Sequence, residues 1–287
     1  MNVREGILIN FLVLITFSAI LFSPIASAEL PPVNDGNFHG DPPYLLEDGW
    51  TPLLNGRNLD GWGYMEPEKG EWAVSSGIYW GGADNPEQLT AQSGPGGRMY
   101  NTARGTNSAS NIFTTQKFGD LELYIEFMVA GNSNSGVYVH GLYEFQIWDS
   151  FGKDLSEHIT DICGAAYHYE FTEAQLKAFR ARKERPRYIG GIAPMVRADR
   201  PAGQWQSYHI WFKAPRFDSS GNKTANAKFL RVLHNGALIH ENIERTGPTR
   251  APMKIAEAAM NPIMLQGDHG AIAFRNIYIR PLRPFAQ

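Results

Sequence analysis

Between Leu121 and Val129 the chain alternates. Leu121, Leu123, Ile125, Phe127 and Val129 fall on one side of an extended segment, and Glu122, Tyr124, Glu126 and Met128 on the other. A period of two is the mark of a strand with one face in a core. The next pair of strands repeats the pattern. Val137, Val139, Tyr143, Phe145 and Ile147 line one side, Tyr138, His140, Glu144, Gln146 and Trp148 the other, and Gly141-Leu142 between them reads as a tight turn. These successive strands are expected to present acids, amides and aromatics on a common face. Further strands are expected over Tyr208 to Lys213, over Phe229 to Leu233 with Asn235-Gly236 as a hairpin turn, and over Ala271 to Arg280. Only Thr172 to Lys183 reads as a helix, a solvated amphipathic insert with Leu176 and Phe179 beside Lys177, Arg180, Arg182 and Lys183. Many short strands broken by Gly, Asn and Pro, with no internal repeat, predict an all-β sandwich or barrel.

The first residues belong to a different pattern. Arg4 precedes an apolar run from Ile7 to Phe22 and the small-residue sequence Ala26-Ser27-Ala28, the order of a secretory signal peptide cleaved before Glu29. The expected division is therefore a signal peptide over 1–28, a Pro-rich arm over 29–47 and one β domain over 48–283. The mature chain is expected in the periplasm or outside the cell. No later stretch is long and apolar enough to cross a membrane as a helix.

Charge narrows the partners. A formal net charge of -3 and a pI near 6.2 leave no basic footprint for nucleic acid. Cys163 is the single cysteine, so no internal disulfide forms. Aromatic residues make up 12% of the chain and include seven tryptophans, the flat rings that stack on sugar C–H faces while polar neighbours read the hydroxyls.

Candidate chemistry concentrates in Tyr143 to Asp149. Glu144, Gln146 and Trp148 share one strand face, and Asp149 joins them if the strand bulges at its end. Paired carboxylates suit glycosidic chemistry because one donates a proton while the other accepts one or attacks. Asn132 to Gly136 and Gln266 to Gly270 read as turns, the second placing Asp268 beside His269 at a strand end. Arg275 interrupts an apolar strand, which leaves it to snorkel, to pair with an acid, or to face a site. His168 and His209 lack partners at metal-ligand spacing and read as core or surface histidines.

Taken in order, a series of segments resembles a known family: Trp50-Thr-Pro-Leu-Leu-Asn-Gly-Arg-Asn-Leu-Asp-Gly-Trp62, Phe118-Gly-Asp-Leu-Glu-Leu, Asn134-Ser-Gly-Val-Tyr-Val, Tyr143-Glu-Phe-Gln-Ile-Trp-Asp-Ser150, Cys163-Gly-Ala-Ala-Tyr167, Pro201-Ala-Gly-Gln-Trp205, Ala214-Pro-Arg-Phe-Asp218, His234-Asn-Gly236, Leu265-Gln-Gly-Asp-His-Gly270 and Phe274-Arg-Asn-Ile277. The chain is similar to the 3-keto-disaccharide hydrolase family. That resemblance implies a concanavalin-like, laminin-G-like jelly roll with its site on a concave face. It also implies cleavage of glycosides oxidised at C3, by elimination to a 3-keto-2-hydroxyglucal, by hydration of that glucal, or by net hydrolysis. On this reading Glu144 or Asp149 is the base, His269 the acid, and Arg275 or a divalent metal the enolate stabiliser. Asn134, Tyr138, His140, Gln146, Trp148, Gln266 and Asp268 would bind the sugar. The chain departs from the family pattern at His140, where Arg is expected, and at 170–190, an insertion that reads as a lid or a rim loop. Two other readings remain at this stage: a conventional jelly-roll glycoside hydrolase, for which Gln146 replaces a middle acid, and a non-catalytic carbohydrate-binding module.

Overall fold

A computed structural model describes residues 47–92, 94–102, 109–156, 158–169, 171–182 and 189–283. The expected signal peptide, residues 29–46 of the arm, and residues 170 and 183–188 of the insertion lie outside the described residues.

In chain order the strands are β1 (Thr51–Pro52), β2 (Trp62–Tyr64), β3 (Trp72–Ser75), β4 (Gly77–Trp80), β5 (Leu89–Gln92), β6 (Arg98–Asn101), β7 (Ile112–Thr114), β8 (Leu121–Val129) and β9 (Asn134–Val139). They continue with β10 (Tyr143–Trp148), β11 (Gln206–Lys213), β12 (Arg216–Phe217), β13 (Lys223–Ala225), β14 (Ala227–His234), β15 (Ala237–Arg245), β16 (Met264–Leu265) and β17 (Ile272–Pro281). One helix, α1 (Glu173–Arg182), interrupts them. A large sheet runs β15-β14-β11-β8-β17-β6-β3, with β1 also pairing to β17, and a small sheet runs β10-β9-β16-β7-β2. Their strand pairs are antiparallel, and the architecture is a jelly-roll sandwich.

The core is made by the side of each sheet that alternation assigns to it. Leu121, Leu123, Ile125, Phe127 and Val129 of the large sheet meet Val137, Val139, Tyr143, Phe145 and Ile147 of the small one. Phe145 crosses the interface to meet Phe229 edge-on at 4.7 Å between ring centres. Each such side chain contributes about 1.5–3 kcal/mol by leaving water. Left-handed backbone at His140 (φ 57) and Gly141 (φ 65) closes the β9–β10 hairpin, as the turn chemistry requires. Asn235 and Gly236 do the same between β14 and β15.

One expectation fails here. Glu122, Tyr124 and Glu126 do not share a face with Glu144, because β8 lies in the other sheet and turns them to the opposite side of the sandwich. There they are buried rather than exposed. Glu126 pairs with Arg275 beneath the Trp205 ring, and Glu122 holds Arg280 and His209 beneath Trp50. Glu47, the described residue of the arm, joins this cluster 2.8 Å from Arg280 Nη1.

Candidate functional site

The outward face of the small sheet carries the site, and strand register builds its floor. Glu144 faces Tyr138 across the β9–β10 hairpin, Gln146 faces Gly136 and Trp148 faces Asn134. Because the odd-numbered neighbours fill the core, Glu144 and Gln146 point away from it. The Glu144 carboxyl lies across the neighbouring strand, in the space left by Gly136, where a Cβ would overlap its Oε1. Three loops wall the floor in, with Tyr167 from one, Arg250 and Ala251 from another, and Gln266 and His269 from the third. Together with Asn134, Tyr138, Glu144 and Gln146 they line a pocket of about 210 Å³.

The walls are anchored. The Arg245 guanidinium donates to Tyr167 O at 2.7 Å and to Gly190 O at 2.6 Å, fixing the chain on both sides of the insertion. Thr249 accepts from the Glu144 backbone N–H and donates to Leu142 O. In the third loop Gly267 has no room for a side chain, since a Cβ would meet Ser110 O and the Trp72 ring.

Four oxygens that line this pocket have no hydrogen-bond partner among the described residues: Asn134 Oδ1, Glu144 Oε2, Gln146 Oε1 and Gln266 Oε1. Glu144 is 3% exposed, Gln146 2% and Gln266 8%. Buried polar atoms left without partners are costly; a ring of hydroxyls, which both donates and accepts, would satisfy the three amide oxygens and the Glu144 carboxyl. Burial pushes the Glu144 carboxyl up to about 8, helped by nearby Asp268 and opposed by the Tyr138 hydroxyl and Arg250. Tyr138, buried beside that carboxyl, has its phenol pushed well above the ordinary value and remains a neutral donor. Across the pocket His269 Nδ1 stands 2.6 Å from Asp268 Oδ1 and 3.2 Å from Gln266 Nε2. Burial works against the Asp268 charge, but the bonds from His269 and Gln266 prevail and hold its carboxyl below the ordinary range. The shorter contact, to an ionised carboxylate, orients the ring with Nδ1–H toward Asp268; in the neutral imidazole this tautomer leaves the lone pair on Nε2.

Of the residues selected from the sequence, Asn134, Tyr138, Glu144, Gln146, Gln266 and His269 line the pocket, and Asp268 supports it through His269. Four lie elsewhere. Asp149 accepts from Asn132 N at 3.0 Å and from Lys153 Nζ at 3.2 Å, outside the pocket. Trp148 keeps the parity of Glu144 but packs at the edge of the face against Leu155, Ile162 and Ala165. His140 is buried against Phe212, ring centres 4.8 Å apart, with Nε2 3.2 Å from Gly119 O; the left-handed turn that begins there breaks the alternation that placed it beside Tyr138. Arg275 is on the far sheet, its Nε 2.6 Å from Glu126 Oε2. It pairs with an acid, one of the three alternatives read from the sequence, and does not line the pocket.

Arg250, Tyr167 and Ala251 are the lining residues that the alternation pattern missed. All three sit in irregular segments, where periodicity carries no signal; Tyr167 alone falls in a quoted motif. Arg250 brings a cation to the pocket that Arg275 does not reach. The insertion stands behind this wall. Its Phe171 stacks on His168 at 4.8 Å, His168 lies 4.3 Å from Tyr167, and the Arg250 guanidinium is 5.9 Å from the Phe171 ring. Helix α1 itself buries no residue and is capped by reciprocal bonds between Thr172 and Gln175. Among the described residues no group of three His, Cys, Asp or Glu side chains is arranged to hold a metal. The oxygens able to meet a hard cation are Glu144 Oε2 and the three empty amide oxygens, a donor set of the kind Ca²⁺ or Mg²⁺ accepts.

The fold is a jelly-roll sandwich, and its site is a small polar pocket over a buried acid. The chain belongs to the family described as the 3-keto-alpha-glucoside-1,2-lyase-like domain, which matches residues 49–280. Its fold is similar to that of a Parabacteroides distasonis protein assigned by name to the glycosyl hydrolases, at 24% identity and a TM-score of 0.53, covering 82% of this chain and 84% of that one. A second such protein from that organism is 21% identical at a TM-score of 0.48, covering 81% and 99%. The carbohydrate-binding module CBM66 from Bacillus subtilis is 9% identical at a TM-score of 0.38, covering 79% and 97%. No curated protein sequence matches.

Proposed function

We propose that the chain cleaves 3-keto-glycosides by elimination, with His269 as base and Glu144 as acid. The observation that carries this reading is the pair of opposite environments in one pocket. Glu144 is a buried carboxyl that holds its proton near neutrality, whereas His269 is an imidazole whose free nitrogen is set by an ionised Asp268. The roles expected from the sequence alone are therefore exchanged.

The chemistry follows from the substrate. A ketone at C3 acidifies the C2 proton, which His269 Nε2 removes, leaving an enolate on the C3 oxygen. Arg250 supplies positive charge toward that oxygen. Collapse of the enolate restores the ketone, forms the C1–C2 double bond and breaks the bond from C1 to the glycosidic oxygen. That oxygen takes the Glu144 proton and leaves as an alcohol. Addition of water across the new double bond would complete net hydrolysis. A conventional retaining mechanism would need a second carboxylate about 5 Å from the first; Asp149 is engaged outside the pocket and Asp268 by His269. The leader read at residues 1–28 would put this activity in the periplasm or outside the cell.

The test is to incubate the mature protein with an intact disaccharide and with its 3-keto derivative, with and without a chelator, and to identify products by mass and NMR. Elimination predicts a glucal from the keto sugar only. Turnover of the intact sugar alone rejects the proposal, and binding without turnover of either makes the domain a binding module.

A further inference from the structure

Farther along the same sheet face lies a second space of different character. On the outward face of the small sheet, register places Glu144 beside Tyr138, Tyr138 beside Met264, and Met264 beside Phe113. With strands about 4.8 Å apart, this row runs about 14 Å from the acid to Phe113. At its far end lies a groove of about 450 Å³ whose apolar lining is Phe113, Met253, Ile255, Ala256, Ala258 and Pro262. Met253 stands between the two spaces: it lines the groove and packs against Tyr138 of the pocket. One continuous segment walls both: Arg250 and Ala251 face the pocket, and Met253, Ile255, Ala256 and Ala258 face the groove.

That wall is pinned while its apolar side chains remain open. Met253 N–H donates to Gly141 O at 2.8 Å, and Glu257 accepts from Tyr143 at 2.5 Å and from Lys223 at 2.8 Å. Ile255 is nevertheless 37% exposed. Of the polar side chains that line the groove, Lys117 is exposed at its edge, and the others are engaged within the protein. Thr114 donates to Gln116 O and accepts from Ile263 N, Thr115 donates to Gly61 O, and Asn261 donates to Ala256 O. Four unpartnered oxygens face the neighbouring pocket, whereas apart from Lys117 the groove offers mainly apolar surface.

We infer that this groove is the leaving-group subsite, and that it takes a flat apolar aglycone, an aryl or polycyclic alcohol, rather than a second sugar. The inference rests on the proposed glycoside cleavage. At about 210 Å³ the pocket is smaller than the ~300–1,000 Å³ of sites for drug-sized ligands and holds a single ring, so whatever is attached at C1 must lie beyond it. The groove, which begins at Met253 beyond Tyr138, is within that range.

The experiment compares kcat/KM for para-nitrophenyl and methyl 3-ketoglucosides in the wild type and in Ile255→Ser and Ala256→Gln, with melting temperatures as a check on folding. Taking the aryl-to-methyl ratio in each protein, and comparing ratios, cancels the intrinsic reactivity of the leaving group. The ratio should fall about tenfold in the variants, the usual worth of lost apolar contact in a pocket. An unchanged ratio overturns the inference, as does a wild-type preference for a 3-keto disaccharide over the aryl glycoside. If no keto-glycoside turns over at all, the cleavage reading fails separately. Calorimetric binding of para-nitrophenol then decides about the groove: binding weakened in both variants supports it, and equal or absent binding overturns it.

Discussion

Glu144 and Gly136 fit together as an acid and the space it occupies: the carboxyl crosses from β10 to lie where any side chain at Gly136 would have to be. Because the overlapping atoms are the mobile end of Glu144, Gly136→Ala should fold and displace the carboxyl. Activity should fall by about 10²-fold for a shift on the order of 1 Å. A stability loss of about 1 kcal/mol would lower the melting temperature by only about 2–4 °C. Rate and melting curves measured together check this, and a fully active variant would remove Glu144 from the mechanism.

Glu144→Gln keeps the shape of the protonated acid and removes its proton transfer. The rate on a 3-keto-glycoside should drop by about 10² to 10⁴. Stability should respond to pH with a definite sign. In the folded chain Glu144 titrates at about 8 against an ordinary 4.5, so between those values the folded state holds a proton that the unfolded chain has released. Wild-type stability from this group therefore falls as pH rises through that window and levels off above it. The variant lacks the slope. Its melting temperature should match the wild type near about pH 5 and exceed it near about pH 9.

Asp268→Asn should slow turnover without unfolding the chain. The amide no longer selects the tautomer that leaves His269 Nε2 free, and a loss of about 10² to 10⁴ in kcat is the expected scale. Since Asp268 and His269 are both partly exposed, the melting temperature should stay within a few degrees of wild type. Loss of KM alone, with kcat intact, would make His269 a sugar ligand and not the base.

The two arginines should separate cleanly. Arg275→Ala leaves Glu126 buried without its cation and should cost about 3–5 kcal/mol of stability, with the surviving folded fraction retaining its kcat. Arg250→Ala removes an exposed cation at the pocket and should lower kcat/KM while hardly moving the melting temperature. The opposite pattern, measured by denaturant titration and steady-state kinetics, would contradict both placements.

Much of this fold was legible because period two survives in its long strands. The limits read for Leu121 to Val129 are those of β8, and the helix read over Thr172 to Lys183 is found at Glu173–Arg182. Alternation gives each strand two faces but does not say which sheet it joins. That is why Glu122 and Glu126 were grouped with Glu144, and why Arg275 was carried into the site. The pocket floor was readable for the same reason that the hairpin was, with Glu144 and Gln146 two residues apart on one strand. Its walls were not. Arg250 follows Thr249 in a segment with no period, and only the three-dimensional closure of loops brings it to Glu144.

The last long strand has a kinetic consequence. β17 lies inside the large sheet, paired with β8 along its length and with β6 and β1 on its other edge. Until residues 272–281 have emerged from the ribosome, β8 exposes one hydrogen-bonding edge, and Glu126 and Glu122 lack Arg275 and Arg280, the cations that pair with them. Such a sheet closes late, through contacts far apart in sequence, and its folding should be slow and concerted. A nascent chain halted before Ile272 is expected to remain unfolded and to aggregate through that open edge.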